Sequence, residues 1–139
     1  GSVDRLEHRI YHLRQIRELQ DDTGGFRAFI AWTYEPGFNE LMGRKMSSLE
    51  YLRFLALSRL YLDNFEHIQG SWVTQGKSIG QLTVYFGADD LGSIMLEENV
   101  VRSAGLVNTM LEQEMVDIIK ATGKIPAQRN TRYEILRTY

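Results

Sequence analysis

The chain of 139 residues is long enough for one domain, and its 43% hydrophobic and 24% charged residues argue against a disordered tract. Lys and Arg number 16 against 18 Asp and Glu, a formal charge of −2, and are scattered rather than gathered into a stripe, so no nucleic-acid surface is expected. No apolar run nears the roughly 20 residues of a membrane span and Gly1-Ser2-Val3-Asp4 is no secretory leader, so a cytoplasmic protein without membrane contact is expected, while the lack of cysteine excludes disulfides and thiolate-held zinc or iron–sulfur clusters in this chain.

From Asp4, the residues Leu6, Ile10, Leu13, Ile16 and Leu19 recur at three- and four-residue spacing and predict a helix that ends at Gly24-Gly25. Phe26 to Trp32 is β-branched and aromatic enough for a short buried strand, closed by the turn Pro36-Gly37. Ser47 stands three residues before Glu50, a capping-box spacing, and opens a helix to about Leu62. Apolar residues surround much of that helix, which predicts packing on more than one side.

His67 to Val73 alternates as a strand does, with Gln69, Ser71 and Val73 on one face and Ile68 and Trp72 on the other. Ser78 to Phe86 fits either a helix or a strand. A helix is chosen, because Asp89 to Met95 needs a crossover to enter as a parallel strand. Thr109 and Glu112 fit another capping box, followed by an amphipathic stripe of Leu111, Met115, Ile118 and Ile119 that ends at Gly123. The tail from Lys124 to Tyr139 is polar and without a clear period.

This order of alternating helices and strands predicts an α/β fold with about three parallel strands flanked by helices over residues 1–123, and a tail over 124–139. A closed (β/α) barrel needs eight strands and about 250 residues, so the expectation is a partial barrel of the TIM type. Functional groups in such a fold sit at the C-terminal ends of strands. The segments there are Trp32-Thr33-Tyr34-Glu35-Pro36, Ser71-Trp72-Val73-Thr74-Gln75-Gly76 and Met95-Leu96-Glu97-Glu98-Asn99.

Each segment has a plain reading beside a functional one. Trp32 and Tyr34 can simply cap the core. Gln69, Ser71 and Gln75, if they face the inside of a buried strand, need hydrogen-bond partners, which a polar ligand or ordered water can supply. Glu97 and Glu98 read as a solvated pair, or as a proton acceptor if one faces the barrel mouth. His8 and His12, four apart on the first helix, have no third metal ligand beside them, and His67 reads as a loop residue.

At these same segments the chain resembles the dehypoxanthine futalosine cyclase family. The resemblance runs in order through Glu18-Leu19-Gln20-Asp21-Asp22-Thr23-Gly24-Gly25-Phe26, Trp32-Thr33-Tyr34-Glu35-Pro36-Gly37, Ser71-Trp72-Val73-Thr74-Gln75-Gly76, Gly87-Ala88-Asp89-Asp90-Leu91-Gly92, Glu97-Glu98-Asn99-Val100-Val101 and Pro126-Ala127-Gln128-Arg129-Asn130-Thr131. It implies a radical S-adenosylmethionine enzyme of the futalosine route to menaquinone, related to aminofutalosine synthase and the deazaflavin synthases. Such an enzyme starts its reaction at a [4Fe-4S] cluster on a CxxxCxxC loop, which this chain does not contain.

The resemblance further implies that residue 1 follows the fifth barrel strand, so that the chain carries strands six to eight and is inactive alone. Ala31 and Trp32 would then approach the adenine of S-adenosylmethionine. Trp32, Thr33, Gln69, Ser71, Thr74 and Gln75 would face a small nucleoside substrate, and Glu97 or Glu98 would close the far side. Asp89 stands where the family suggests Asn, and Glu35 where it suggests Gln. The expected partner is a second copy or a complementary N-terminal barrel chain, because an open parallel sheet leaves unpaired edges. A non-catalytic, self-associating or partner-binding half-barrel module is the alternative.

Overall fold

The computed structural model describes residues 4–36, 43–94 and 108–139. Helix α1, Leu6–Thr23, leads to strand β1, Ala28–Ile30, and helix α2, Ser48–Tyr61, leads to strand β2, His67–Gln69. A helical turn, α3 (Trp72–Gln75), runs into helix α4, Lys77–Thr83, and a 3-10 turn at Val84–Phe86. Helix α5, Glu112–Lys120, precedes a hairpin of β3, Ala127–Arg129, and β4, Ile135–Thr138.

The helix ends lie where the local chemistry puts them. Gly24, with φ of 57°, closes α1 and returns its N–H to the Gln20 carbonyl at 2.8 Å. The Gln20 side chain then grips Phe26 from both sides, accepting from its N–H at 2.8 Å and donating to its carbonyl at 3.0 Å, which aims the chain into β1. At the start of α2, Ser47 accepts from the Glu50 N–H while the Glu50 carboxylate accepts from the Ser47 N–H. Arg44 on that carboxylate, followed by Ser47, holds Glu50 well below the usual carboxylate range.

Strands β1 and β2 pair in parallel, with Phe29 opposite Ile68. Residues on one face of this sheet, Ala31 and Ile68, pack with Tyr51, Leu52 and Leu55 of α2, and Phe29 joins them. Leu13 of α1 meets Leu62 and Phe65 in an adjoining cluster, which shares Phe29 and Phe54 with the first. Trp72, Val73, Leu91 and Met110 form a third cluster, against which Met115, Ile118 and Ile119 of α5 pack. Helix α2 buries Tyr51, Leu52, Leu55 and Ser58, whereas Leu49 and Leu60 stand exposed.

Three expectations change. The second strand stops at Gln69 instead of continuing to Val73, because Trp72–Gln75 turns helical and Gly76 N–H bonds the Trp72 carbonyl at 2.7 Å. Ser71 and Val73 are therefore not strand neighbours of Gln69. The tail is an ordered antiparallel hairpin, Ala127 opposite Thr138, held by a ladder rather than by a buried face. Helix α5 is capped at Leu111, whose N–H the Glu114 carboxylate accepts at 2.7 Å, and not at Thr109. The ambiguous segment is helical over Lys77–Thr83, whereas the described part of the expected third strand, Asp89 to Met95, forms only one parallel bridge to β2, between Gln69 and Asp90. Residues 95–107, and with them the end of that expected strand, lie outside the described residues.

Helix α4 crosses α3 at Gly80, where an added Cβ would lie 2.5 Å from Trp72 Cβ and 3.1 Å from its Cα. Alanine for glycine in a helix ordinarily stabilises by up to about 1 kcal/mol. Here the collision outweighs that gain, and Gly80→Ala is expected to lower stability by about 1–3 kcal/mol in urea unfolding. An unchanged or raised midpoint would show that the two helices are not in this contact.

Candidate functional site

The C-terminal ends of β1 and β2 lie side by side, because the strands are parallel and in register. Beyond Ile30 the chain alternates. Ala31 is 6% exposed and belongs to the core under the sheet, whereas Trp32, 49% exposed, stands on the other face. That other face opens on a cavity of about 1380 Å³ whose wall includes Ile30, Trp32, His67, Gln69 and Ser93 from the sheet side. The hairpin residues Arg129 and Tyr133 also line it, with the Tyr133 ring stacked on His67.

Thr33 and Gln75 meet although they are far apart in sequence. Gln75 Nε2 donates to Thr33 Oγ1 at 2.9 Å, Thr33 Oγ1 donates to Glu35 Oε1 at 3.3 Å, and Lys45 Nζ pairs with Glu35 Oε2 at 2.8 Å. The result is a relay of hydrogen-bonding groups at the strand ends, in which Thr33 is buried. Ser71 and Thr74 are placed differently. Both are buried, their hydroxyls lie 2.8 Å apart, and each satisfies the other. Their bond and the Tyr51 hydroxyl, which accepts from the Ser71 N–H at 2.8 Å, fix the α3 turn that presents Gln75. Gln69 packs its carboxamide against Gly92, where φ is +75° and any side chain would collide with it. Glu97 and Glu98 lie outside the described residues.

A second set of polar groups, not singled out as a site from sequence, stands behind this rim. Asp89 Oδ1 accepts from the Ile68 N–H at 2.7 Å and from Arg59 of α2 at 2.5 Å, while Oδ2 lies 2.6 Å from His67 Nδ1. His67 is thus the first residue of β2 with a partnered ring, not a loop residue. Asp90 Oδ1 accepts from the Gly92 N–H at 3.0 Å, and Oδ2 accepts from Arg129 at 2.5 Å and from the Tyr133 hydroxyl at 3.0 Å. Burial first, and then the negative charge of Asp90, pushes the Tyr133 phenol up to about 12. Two consecutive acids within Gly87-Ala88-Asp89-Asp90-Leu91-Gly92 were the available signal, since adjacent carboxylates at the end of a turn attract cationic and N–H donors.

A smaller cavity of about 360 Å³ lies beside β1, lined by Asp4, His8, Arg9, His12 and Thr33 among others. Asp4 pairs with Arg9 at 2.5 Å, and among the described residues no group of three or more His, Cys, Asp or Glu side chains is placed to hold a metal. No helix among the described residues is long and apolar enough to cross a membrane.

A family model described as the CofH/MqnC C-terminal region matches residues 23–139. The chain is 56% identical, over 98% of its length, to a cyclic dehypoxanthine futalosine synthase from Streptomyces coelicolor, of which it covers 34%. It is 42% identical over its full length to the protein of the same name from Halalkalibacterium halodurans, covering 38% of it. An aminodeoxyfutalosine synthase from Thermus thermophilus is 37% identical over the whole chain, which covers 39% of it. The chain thus spans about a third of the length of the curated relatives it matches.

Burial pushes the Tyr51 phenol up to about 12, and its bond to the Ser71 N–H acts in the opposite sense. The folded state therefore keeps this proton where the unfolded chain, at its ordinary value of about 10, has lost it. The associated stability is complete below about pH 10 and declines as pH rises towards 12. Tyr51→Phe leaves the buried Ser71 N–H unpaired and is expected to cost about 1–3 kcal/mol near neutrality. Urea unfolding at about pH 9 and about pH 11 should show the gap between wild type and variant narrowing at the higher pH. A constant gap would mean that the phenol is not buried in this contact.

Proposed function

The chain belongs to the CofH/MqnC C-terminal region family, and we propose that it forms the substrate-facing third of a radical S-adenosylmethionine enzyme that cyclises dehypoxanthine futalosine on the route to menaquinone. The observation that carries this reading is the 56% identity to a cyclic dehypoxanthine futalosine synthase across 98% of the chain. The geometry of the strand ends supports it. Gln75 donates to the buried Thr33 hydroxyl, and Thr33 lines the smaller cavity with Trp32, so an amide and a hydroxyl stand at the strand ends, the chemistry that ribose hydroxyls or a carboxylate of a small nucleoside require. Trp32, half exposed, offers an aromatic face of the size of a base and lines both cavities, and Gln69 offers a carboxamide on the wall of the larger one.

In this reading Trp32, Thr33, Gln69 and Gln75 touch the substrate. Ser71 and Thr74 hold the turn behind Gln75. Trp32 and the backbone at Ala31, whose side chain is packed in the core, would be the residues that hold the adenine of S-adenosylmethionine. The chain holds no cysteine, so its residues do not fit a thiolate-held [4Fe-4S] cluster, and that group belongs to another part of the enzyme. The setting is cytoplasmic, and neither a membrane nor a nucleic acid takes part.

The same reading makes the sheet one sector of a (β/α) barrel. Parallel strands are ordinarily covered on both faces, and here α2 covers one while Ile30 and Trp32 stay open on the other. Further strands, from a longer chain, a complementary chain or a second copy, would close that face.

A chimera tests the proposal: this chain replaces the corresponding third of the Streptomyces coelicolor relative, and conversion of dehypoxanthine futalosine is assayed with S-adenosylmethionine and a reductant. The chimera is expected to turn over, and Trp32→Ala or Gln75→Ala to lower kcat/KM by about tenfold or more. A folded, cluster-loaded chimera without activity, beside an active parent, would overturn the assignment and leave a non-catalytic module.

A further inference from the structure

The hairpin β3–β4 is attached to the molecule in a way unlike every other described element. No hairpin residue enters any of the three buried apolar clusters, and Ile135, Leu136 and their strand neighbours are exposed. Its fastenings are polar and aromatic. At the turn end, Arg129 and the Tyr133 hydroxyl converge on one oxygen of Asp90, and Arg27, just before β1, donates to the Thr131 carbonyl at 2.9 Å. The Tyr133 ring lies flat on His67, with centroids 3.8 Å apart and planes 7° apart, while the Arg129 guanidinium covers its other side at 4.0 Å. At the open end, Arg137 and the Tyr139 hydroxyl reach Glu112 of α5. His67 and Arg27 mark the N-terminal ends of β2 and β1, opposite to the Trp32 and Gln75 rim.

We propose that this hairpin is a strap, fastened at Asp90, that closes the large cavity from the N-terminal ends of the strands and lifts away as one unit. Its internal ladder, Ala127 with Thr138 and Gln128 with Arg137, keeps its shape when it leaves. Its seat has low apolar burial, so the free energy of opening is set by a few charge-assisted hydrogen bonds and one stacked ring rather than by the core. Asp90 is the controlling residue because Oδ2 alone takes both hairpin donors, while Oδ1 holds the Gly92 N–H and so remains tied to the sheet side. Tyr133 covers His67 when the strap is down and uncovers it when the strap is up.

That covering supplies the readout. The chain has three histidines, and His8 and His12 are exposed on α1 as internal references. Carbethoxylation of each histidine in the folded chain is followed by peptide mass spectrometry, together with amide exchange of the α2 and β2 core. Arg129→Gln is expected to raise the rate at His67 by about tenfold relative to His8 and His12, with core exchange unchanged. Tyr133→Phe, which keeps the stacked ring and loses only the hydroxyl, should raise it by a smaller factor. An unchanged His67 rate in Arg129→Gln would show that Asp90 does not fasten the hairpin. Faster core exchange alongside the His67 change in both variants would show that the hairpin is integral to the core and not a strap. Neither outcome involves turnover, so the strap can fail while the proposed activity stands, and the reverse.

Discussion

Much of the structure depends on the two adjacent carboxylates of Asp89 and Asp90. The chain after Gly87 meets β2 through one parallel bridge, with the Asp89 N–H on the Ile68 carbonyl at 3.0 Å and the Gly70 N–H on the Asp90 carbonyl at 2.8 Å. Side chains add to these backbone bonds. Asp89 accepts the Ile68 N–H, which sits in the middle of β2, and ties it to Arg59 on α2. Asp90 turns the other way, to Gly92 and to the hairpin. Removing Asp89 would leave the Ile68 N–H in the middle of β2 unpaired at about 1–3 kcal/mol, more than the loss of an exposed ion pair.

That joint also fixes the candidate site. Gln69 lies beside Gly92 because the two chains are locked at Asp90, and Ser93, just beyond, accepts from the Trp72 indole at 3.2 Å. Trp72 in turn anchors α3, which carries Gln75 to Thr33. The rim and the strap are thus opposite ends of one connected set of contacts.

How much of this could be read from the sequence varies by residue. Ser47 with Glu50 and the Gly24 stop were legible, because capping chemistry is local. The pairing of Thr33 with Gln75 was half legible: both were marked as strand-end polar residues, but their contact depends on a helical turn that the alternation of Gln69, Ser71 and Val73 concealed. Thr74 and Ser71 looked ligand-facing and instead bond each other inside. The hairpin was illegible by period, since Ile135 and Leu136 are adjacent and both exposed, so no buried face imprints an alternation on the strand. His67, Arg129 and Tyr133 meet only through the fold, and no spacing announces them.

The sheet is buried on one face, while the other carries Tyr133 on His67 at one end and leaves Ile30 and Trp32 uncovered at the C-terminal end of β1, whose outer edge is unpaired among the described residues. Such an edge and face together form a seat for further strands. Sedimentation of the chain alone, and mixed with the N-terminal two-thirds of the Streptomyces coelicolor relative, tests this most directly. A defined 1:1 complex in the mixture, or a discrete oligomer of the chain alone, is the predicted result. A monomer in both experiments, with no change in the exposure of Trp32, would contradict the idea that this sheet is a sector of a larger barrel.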